Sequence, residues 1–130
     1  MADFAESITI DRDPDVVWNV VGDLENISGW LPFITESRLD GPTTRVCRAG
    51  EHGELRERIV SHDATARRYE YTITSAPMPI DDILATIAVL PHGDGARVIW
   101  HTTVEPEGLV DMFKPIYAEG LSNLKTQLEA

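Results

Sequence analysis

The sequence lacks several features that mark whole classes of protein. It has one cysteine in 130 residues, so no internal disulfide can form and no cysteine pair can hold a metal. Its 11 Lys and Arg residues are outnumbered by 22 Asp and Glu residues, and the net charge of −11 opposes binding to nucleic acid and to anionic lipid headgroups. No apolar run approaches the roughly 18 residues that a membrane-spanning helix needs.

Other absences concern cofactors and sorting signals. The four histidines are scattered without the spacing of metal ligands, and the chain has no phosphate loop, dinucleotide-binding glycine pattern or serine elbow. We therefore expect no metal and no cofactor. The acidic N-terminus does not resemble a signal peptide, and we expect a cytoplasmic protein without stable membrane insertion. No linker or repeat divides the chain, which predicts a single domain over residues 1–130, either a monomer or a homodimer.

What the sequence does contain begins with two helix starts. Asp13 can cap a helix and Pro14 fits a first helical position, where no amide partner is needed, so a helix is predicted from Pro14 to Gly22. A second short helix is predicted from Asp23 to Trp30, because Pro32 stops it.

Turn signals then divide the middle of the chain into hairpin-sized strands, which favours an antiparallel meander. They lie at Gly41-Pro42, Gly50-Glu51-His52-Gly53, Asp63-Ala64-Thr65-Ala66, Ala76-Pro77-Met78-Pro79 and His92-Gly93-Asp94-Gly95. A long C-terminal helix follows, since apolar residues recur at spacings of three and four between Leu109 and Leu128. Within it, Pro115 predicts either a late helix start or a kink, and Gly120 predicts either a close backbone approach or part of the pocket floor.

Alternation along the strands predicts which side chains face the interior. From Glu54 to His62, the inner set is Leu55, Glu57 and Ile59, and the outer set is Glu54, Arg56, Arg58 and His62. The next strand places Tyr69, Tyr71 and Ile73 inside. The last two strands place Ile83, Ala85, Ile87 and Val89, and then Val98, Trp100, Thr102 and Val104, on the inner face.

Three groups of residues in this order resemble one known superfamily. The first is Val17-Trp18 with Asp23-Leu24, Trp30 and Pro32. The second is Glu57-Arg58-Ile59 with Asp63, Arg68, Tyr69, Tyr71 and Ile73. The third is Trp100 with Glu105-Pro106 and the helix from Gly120-Leu121 to Leu128-Glu129. Together they resemble the START-like or Bet v 1-like superfamily of polyketide cyclases, dehydrases and lipid transport proteins. The resemblance implies an α+β helix-grip fold, in which about seven antiparallel strands curve around the C-terminal helix and the first strand pairs with the last.

The resemblance also implies a cavity for a small hydrophobic or aromatic molecule between sheet and helix. We expect the following residues to contact it: Trp30, Phe33, Glu57, Tyr69, Tyr71, Trp100, Thr102, Met112, Phe113, Ile116 and Tyr117. Two alternatives stay open, namely a cyclase or dehydratase that moves protons with Glu57 and Tyr71, and an accessory interaction protein with a vestigial cavity. Glu57 is the carboxylate whose neighbours two residues away are both large aliphatics. A carboxylate buried alone has a raised pKa, so a partner is expected, either Tyr71 or an arginine that folds inward.

Overall fold

The computed structural model describes residues 1–130, which form an antiparallel sheet and a long C-terminal helix. The strands are β1 (Ala2–Ile10), β2 (Glu36–Leu39), β3 (Thr44–Arg48), β4 (Glu54–Asp63), β5 (Arg68–Ser75), β6 (Asp82–His92) and β7 (Gly95–Glu105). The helices are α1 (Pro14–Val21), α2 (Ile27–Trp30) and α3 (Leu109–Glu129), and short 3-10 turns lie at Leu24–Asn26 and Gly50–His52.

The seven strands lie in the order β1-β7-β6-β5-β4-β3-β2, and every neighbouring pair is antiparallel. From β2 to β7 each strand pairs with the next one in sequence, as the short turns predict. The first strand closes the order by pairing with β7, with Ala2 opposite Val104 and Ile10 opposite Ala96. The predicted helix-grip architecture is therefore confirmed, including the two short helices between the first two strands.

The predicted helix starts are also confirmed. The Asp13 carboxylate accepts the backbone amide of Asp15 at 2.9 Å, and Pro14 is the first residue of α1. The helix ends where the amide of Gly22 donates to the carbonyl of Trp18 at 2.7 Å. The second predicted helix is divided into a 3-10 turn and the single turn of α2.

Burial along β6 separates two faces that are both apolar in sequence. Ile83 and Ile87 on the inner face are at most 1% exposed, whereas Leu84 and Leu90 on the outer face are 44% and 41% exposed. The inner residues of β4, β5 and β7 are likewise buried or nearly so. The predicted faces of these strands are confirmed, except beyond the second of two register shifts between β4 and β5.

That second shift overturns the predicted outward direction of His62. The register between β4 and β5 shifts between Ile59 and Ser61, so that one extra residue enters β4 and His62 pairs with the inward-facing Tyr69. An extra residue in one strand of a pair reverses the alternation beyond it. The His62 ring therefore lies beside Trp18, with 5.3 Å between ring centroids, and its Nε2 is 2.8 Å from the carbonyl oxygen of Gly22.

Helix α3 fills the concave side of the sheet and packs against β1, β7 and α2. It begins at Leu109 and continues through Pro115, so the predicted late start is wrong. Gly120 confirms the predicted close approach, because a Cβ atom there would collide with the Leu31 side chain. Side-chain amides of α3 also reach the carbonyls of α2, with Asn123 donating to Trp30 at 2.9 Å. No helix in the structure combines the length and the hydrophobicity that a membrane crossing requires.

Candidate functional site

A cavity of about 30 Å³ lies between the concave face of the sheet, α2 and α3. Its wall consists of Ile27, Leu31, Phe33, Ile34, Cys47, Leu55, Glu57, Tyr71, Ile73, Trp100, Phe113, Ile116 and Tyr117. Glu57 is the only charged residue among these 13. A water molecule needs roughly 10 to 15 Å³ of such space, so the cavity has room for water but not for an aromatic ring.

The Glu57 carboxylate is paired with a buried arginine. Arg45 lies opposite it in the register of β3 and β4, and Arg45 Nε donates to Glu57 Oε1 at 2.6 Å. The side chains are 0% and 8% exposed. The inward arginine is therefore the partner of Glu57, and the proposed bond from Tyr71 is not formed. Removing one member of such a pair leaves an uncompensated buried charge, which costs about 3 to 5 kcal/mol.

The Arg45 guanidinium is enclosed by groups that favour its charge. Its Nη1 donates to the Leu24 carbonyl and to the Tyr69 hydroxyl, both at 3.2 Å. Its Cζ lies 5.4 Å from the ring centroid of Tyr69 and 5.1 Å from that of Tyr71, within the range of cation–π attraction. Burial alone lowers the pKa of Arg45, but Glu57 and then Tyr69 raise it well above its usual value. Arg45 Nη2 is buried without a hydrogen-bond partner in the chain.

Cys47 completes the polar cluster beside Glu57. Its thiol donates to Glu57 Oε1 over 3.7 Å. Burial, and then the nearby Glu57 carboxylate, raise the pKa of Cys47 to about 12. Because the thiolate is the reactive form of cysteine, Cys47 is a structural thiol and not a nucleophile at neutral pH.

On the other side of the cavity, the aromatic rings of β7 and α3 stack. The Trp100 and Tyr117 rings are 3.7 Å apart between centroids and 6° from parallel, and the Trp30 ring meets Trp100 edge-on at 5.6 Å. The Thr102 and Tyr117 hydroxyls are hydrogen-bonded at 2.7 Å. The Trp30 indole nitrogen is buried without a partner in the chain.

Tyr71 links the two sides. Its hydroxyl oxygen accepts the indole N–H of Trp100 at 3.2 Å. Burial, followed by the proximity of Tyr117, raises the pKa of Tyr71 well above its usual value, and burial also raises the pKa of Tyr69 and of Tyr117. All three tyrosines of the chain are therefore held as neutral phenols in the folded protein.

The structure brings seven of the eleven residues predicted to contact a ligand into the cavity wall. They are Phe33, Glu57, Tyr71, Trp100, Phe113, Ile116 and Tyr117. The other four lie just outside it. Trp30, Tyr69 and Thr102 are in contact with wall residues, and Met112 lies in a groove outside the cavity. The role of all eleven in ligand binding stays a prediction.

The residues predicted from the sequence to form the site do not include Arg45 and Cys47. They are two residues apart on β3, so alternation places them on one face, and the strand pairing sets Arg45 opposite Glu57 and Cys47 opposite Leu55. Extending the alternation of β4 across the turn to β3 would have found both. No strand pattern predicts that Ile27, Leu31 and Ile34 lie in the cavity wall, because they belong to α2 and the loop after it.

An outer groove of about 250 Å³ adjoins the cavity and shares Phe33 with it. Its other lining residues are His52, Pro77, Met78 and Met112. The Phe33 ring stacks on His52, with centroids 5.9 Å apart and the planes 29° from parallel. Phe33 thus lines both the cavity and the groove.

Another depression on the surface is less suited to such a ligand. A depression of about 340 Å³ at the β2–β4 edge of the sheet is lined mainly by Glu36, Arg38, Arg48 and Glu54, together with Ser37 and two apolar residues. Charged side chains of both signs that are open to water make a poor site for an apolar ligand. No group of three or more His, Cys, Asp or Glu side chains comes together to hold a metal ion.

Comparison with known proteins gives a family match and many similar structures. The family model described as polyketide cyclase / dehydrase and lipid transport matches residues 1–129. The protein XoxI from Bacillus cereus is 29% identical with a TM-score of 0.94, over 99% of this chain and 96% of that one. A protein from Thermobifida fusca is 32% identical with a TM-score of 0.88, over 98% and 93%. A START superfamily protein from Mycobacterium smegmatis shares the fold at 13% identity, with a TM-score of 0.80 over 98% and 97%. Among curated proteins, none matches the sequence.

Proposed function

Since the chain belongs to the polyketide cyclase/dehydrase and lipid transport family, we propose that it binds a small apolar or aromatic molecule between its sheet and α3. The observation that carries this proposal is the cavity wall, which combines aliphatic and aromatic side chains with one charged residue. Ligand sites in proteins have this composition, because apolar area supplies affinity and a few polar groups fix orientation.

Binding of an aromatic molecule requires the cavity of about 30 Å³ to widen. Phe33 borders both the cavity of about 30 Å³ and the groove of about 250 Å³, so its rotation would join the two. The residues around it are suited to movement, since Met78, Met112 and Ile116 are only partly buried and methionine side chains are flexible. In this proposal a ligand enters beside Phe33 and places its inner end near Glu57.

The chemistry of the wall favours binding over a cyclase or dehydratase reaction. A general acid or base works best with a pKa near the working pH. The pKa of Tyr71 is raised well above its usual value, and its hydroxyl already accepts the Trp100 indole N–H. Glu57 is held by Arg45. We therefore propose a holding role for both residues and no proton transfer.

The small volume of the cavity favours a second candidate function, an accessory interaction protein whose cavity is vestigial. Its surface would then carry the function, with the excess of acidic side chains facing a basic partner. A ligand titration separates the two candidates, because a vestigial cavity takes up no molecule.

The test uses N-phenylnaphthylamine, a neutral fluorophore that brightens in apolar surroundings. The wild-type protein should bind it and transfer excitation from tryptophan. Ile116→Trp places a large ring in the cavity wall and should weaken binding about 10-fold or more, since a filled cavity leaves no apolar space. Leu84→Trp, on the exposed outer face of β6, is the matched control and should bind as wild type does.

Two results would contradict the proposal. One is no binding by the wild-type protein, which would support the vestigial cavity. The other is equal binding by the wild type and Ile116→Trp, which would place the fluorophore elsewhere. Phe33→Ala supplies a further measurement, because removing the ring that lines both cavity and groove should increase the association rate while Leu84→Ala leaves it unchanged.

A further inference from the structure

We infer that the cavity selects neutral molecules that carry a hydrogen-bond donor at the inner end, such as a phenol or an enol, and rejects carboxylates. This inference rests on the proposed binding function and defines the chemical class of its ligand. It depends on the two oxygens of Glu57, on the charge of the Arg45–Glu57 pair, and on the hydrogen bonds of the other polar wall residues.

The two oxygens of the Glu57 carboxylate are used differently. Oε1 accepts from Arg45 Nε at 2.6 Å and from the Cys47 thiol at 3.7 Å. Both hydrogen bonds that the chain donates to this carboxylate go to Oε1 and none to Oε2, although a carboxylate oxygen can accept two. Because Glu57 borders the cavity and keeps 8% of its side-chain surface accessible, an acceptor without a partner in the chain is available to a ligand.

The other polar groups of the wall already make hydrogen bonds within the chain. The Tyr117 hydroxyl is bonded to Thr102 at 2.7 Å, and the Tyr71 hydroxyl accepts from Trp100 at 3.2 Å. Neither tyrosine supplies a cation, and no lysine or arginine lies in the wall. A ligand carboxylate would therefore meet the Glu57 carboxylate, two neutral phenols and apolar side chains, without a positive charge to balance it.

The Arg45–Glu57 ion pair disfavours the binding of both anionic and cationic ligands. Arg45 and Glu57 form an ion pair whose charges neutralise each other, and their side chains are 0% and 8% exposed. The pair therefore adds no net charge to the interior. An added anion or cation would give this interior a net charge, which is costly to remove from water. A neutral donor adds a hydrogen bond to a charged acceptor and no net charge, and such bonds are stronger than those between neutral groups. The favoured ligand is thus neutral and donates to Glu57 Oε2.

The test compares four naphthalenes of nearly equal size with the wild-type protein at neutral pH. They are naphthol, its methyl ether, naphthoate and naphthylmethylammonium, followed by tryptophan quenching or by calorimetry. Naphthol should bind about 10-fold more tightly than the ether, which has no donor, and about 100-fold more tightly than naphthoate. The cation should bind more weakly than naphthol.

A variant pair then tests whether Glu57 is responsible. Glu57→Gln alone leaves the Arg45 charge buried and unpaired, which destabilises the fold, so it is combined with Arg45→Met. In this double variant the preference of naphthol over naphthoate should fall to about 10-fold or less. Arg58→Gln is the matched control, because Arg58 is the next residue of β4, is charged and lies on the exposed outer face. It should keep the wild-type preference.

The outcomes distinguish the inference from the function on which it rests. If none of the four compounds binds, the proposed binding function is wrong and the inference is wrong with it. If the ether binds as tightly as naphthol, or if naphthoate binds best, the protein binds aromatic molecules but does not select neutral donors. A double variant with the full wild-type preference would also overturn the assignment to Glu57.

Discussion

The two halves of the concave face differ in how their buried polar groups are paired. The polar half comprises β3, β4 and β5 and contains Arg45, Cys47, Glu57, Tyr69 and Tyr71. The stacked half comprises β6, β7 and α3 and contains Trp100, Thr102 and Tyr117. In the stacked half, neutral groups pair with one another, as the Thr102 and Tyr117 hydroxyls do. In the polar half, two charges are buried and Arg45 Nη2 has no partner in the chain.

The difference indicates which half stabilises the fold and which is kept for another reason. Burial of apolar rings, and their stacking, favours the folded state. A buried ion pair contributes little, because removing both charges from water offsets most of their attraction. A sequence optimised only for stability would have apolar residues at positions 45 and 57. Glu57 lines the cavity and Arg45 neutralises it, so we propose that function, and not stability, explains the charged pair.

The largest expected effect is the loss of the whole fold at alkaline pH. Burial raises the pKa of Tyr69, Tyr71 and Tyr117 above the value of about 10 in the unfolded chain. The neutral phenols therefore stabilise the fold fully below about pH 10, and this stability is lost as the pH rises above that value. Cys47 acts in the same direction from about pH 9. We expect unfolding between about pH 10 and 12.

The measurement is tyrosinate absorbance near 295 nm together with circular dichroism. Since the chain has only these three tyrosines, absorbance should rise only as the ellipticity is lost. Tyr69→Phe and Tyr117→Phe each remove one phenol, one in each half, and should make the alkaline transition less steep. Tyrosinate absorbance that rises in the folded protein would show that at least one phenol is accessible, contrary to its burial.

The next effect concerns the ion pair and could break the comparison between the halves. Glu57→Ala should destabilise the protein by about 3 to 5 kcal/mol, because it leaves Arg45 buried and unpaired. Arg45→Met combined with Glu57→Met should be close to wild type in stability, or above it. Urea unfolding followed by tryptophan fluorescence measures both. If the double variant is as unstable as Glu57→Ala, the ion pair is itself a main source of stability. The polar half would then contribute to the free energy of unfolding as the stacked half does.

The smallest effect concerns the neutral pair of the stacked half. Tyr117→Phe keeps the ring against Trp100 and removes the hydroxyl that bonds Thr102, so we expect a loss of about 1 kcal/mol. Thr102→Val should cost a similar amount. The coupling free energy from the double variant should be much smaller than that of Arg45 and Glu57. Equal coupling free energies in the two halves would remove the contrast between them.

Much of the fold could be predicted from local patterns. Asp13 and Pro14 specify where α1 begins, and alternation along β6 predicts its buried face although both faces are apolar. These patterns are reliable because capping and alternation depend on neighbouring residues alone. His62 shows the limit, since one extra residue in β4 reverses the alternation and no local signal marks it.

By itself the sequence determined the order of strands and helices, the inner faces of the strands and the burial of Glu57, because each follows from spacing along the chain. Only the tertiary structure decided what surrounds Glu57. Arg45 reaches it because β3 pairs with β4 in one register, and Tyr69 and Leu24 then enclose the guanidinium from β5 and the turn before α2. The tertiary structure also determines the volume of the cavity, because that volume depends on the distance of α3 and the α2 segment from the sheet. Packing between segments that are distant in sequence sets this distance.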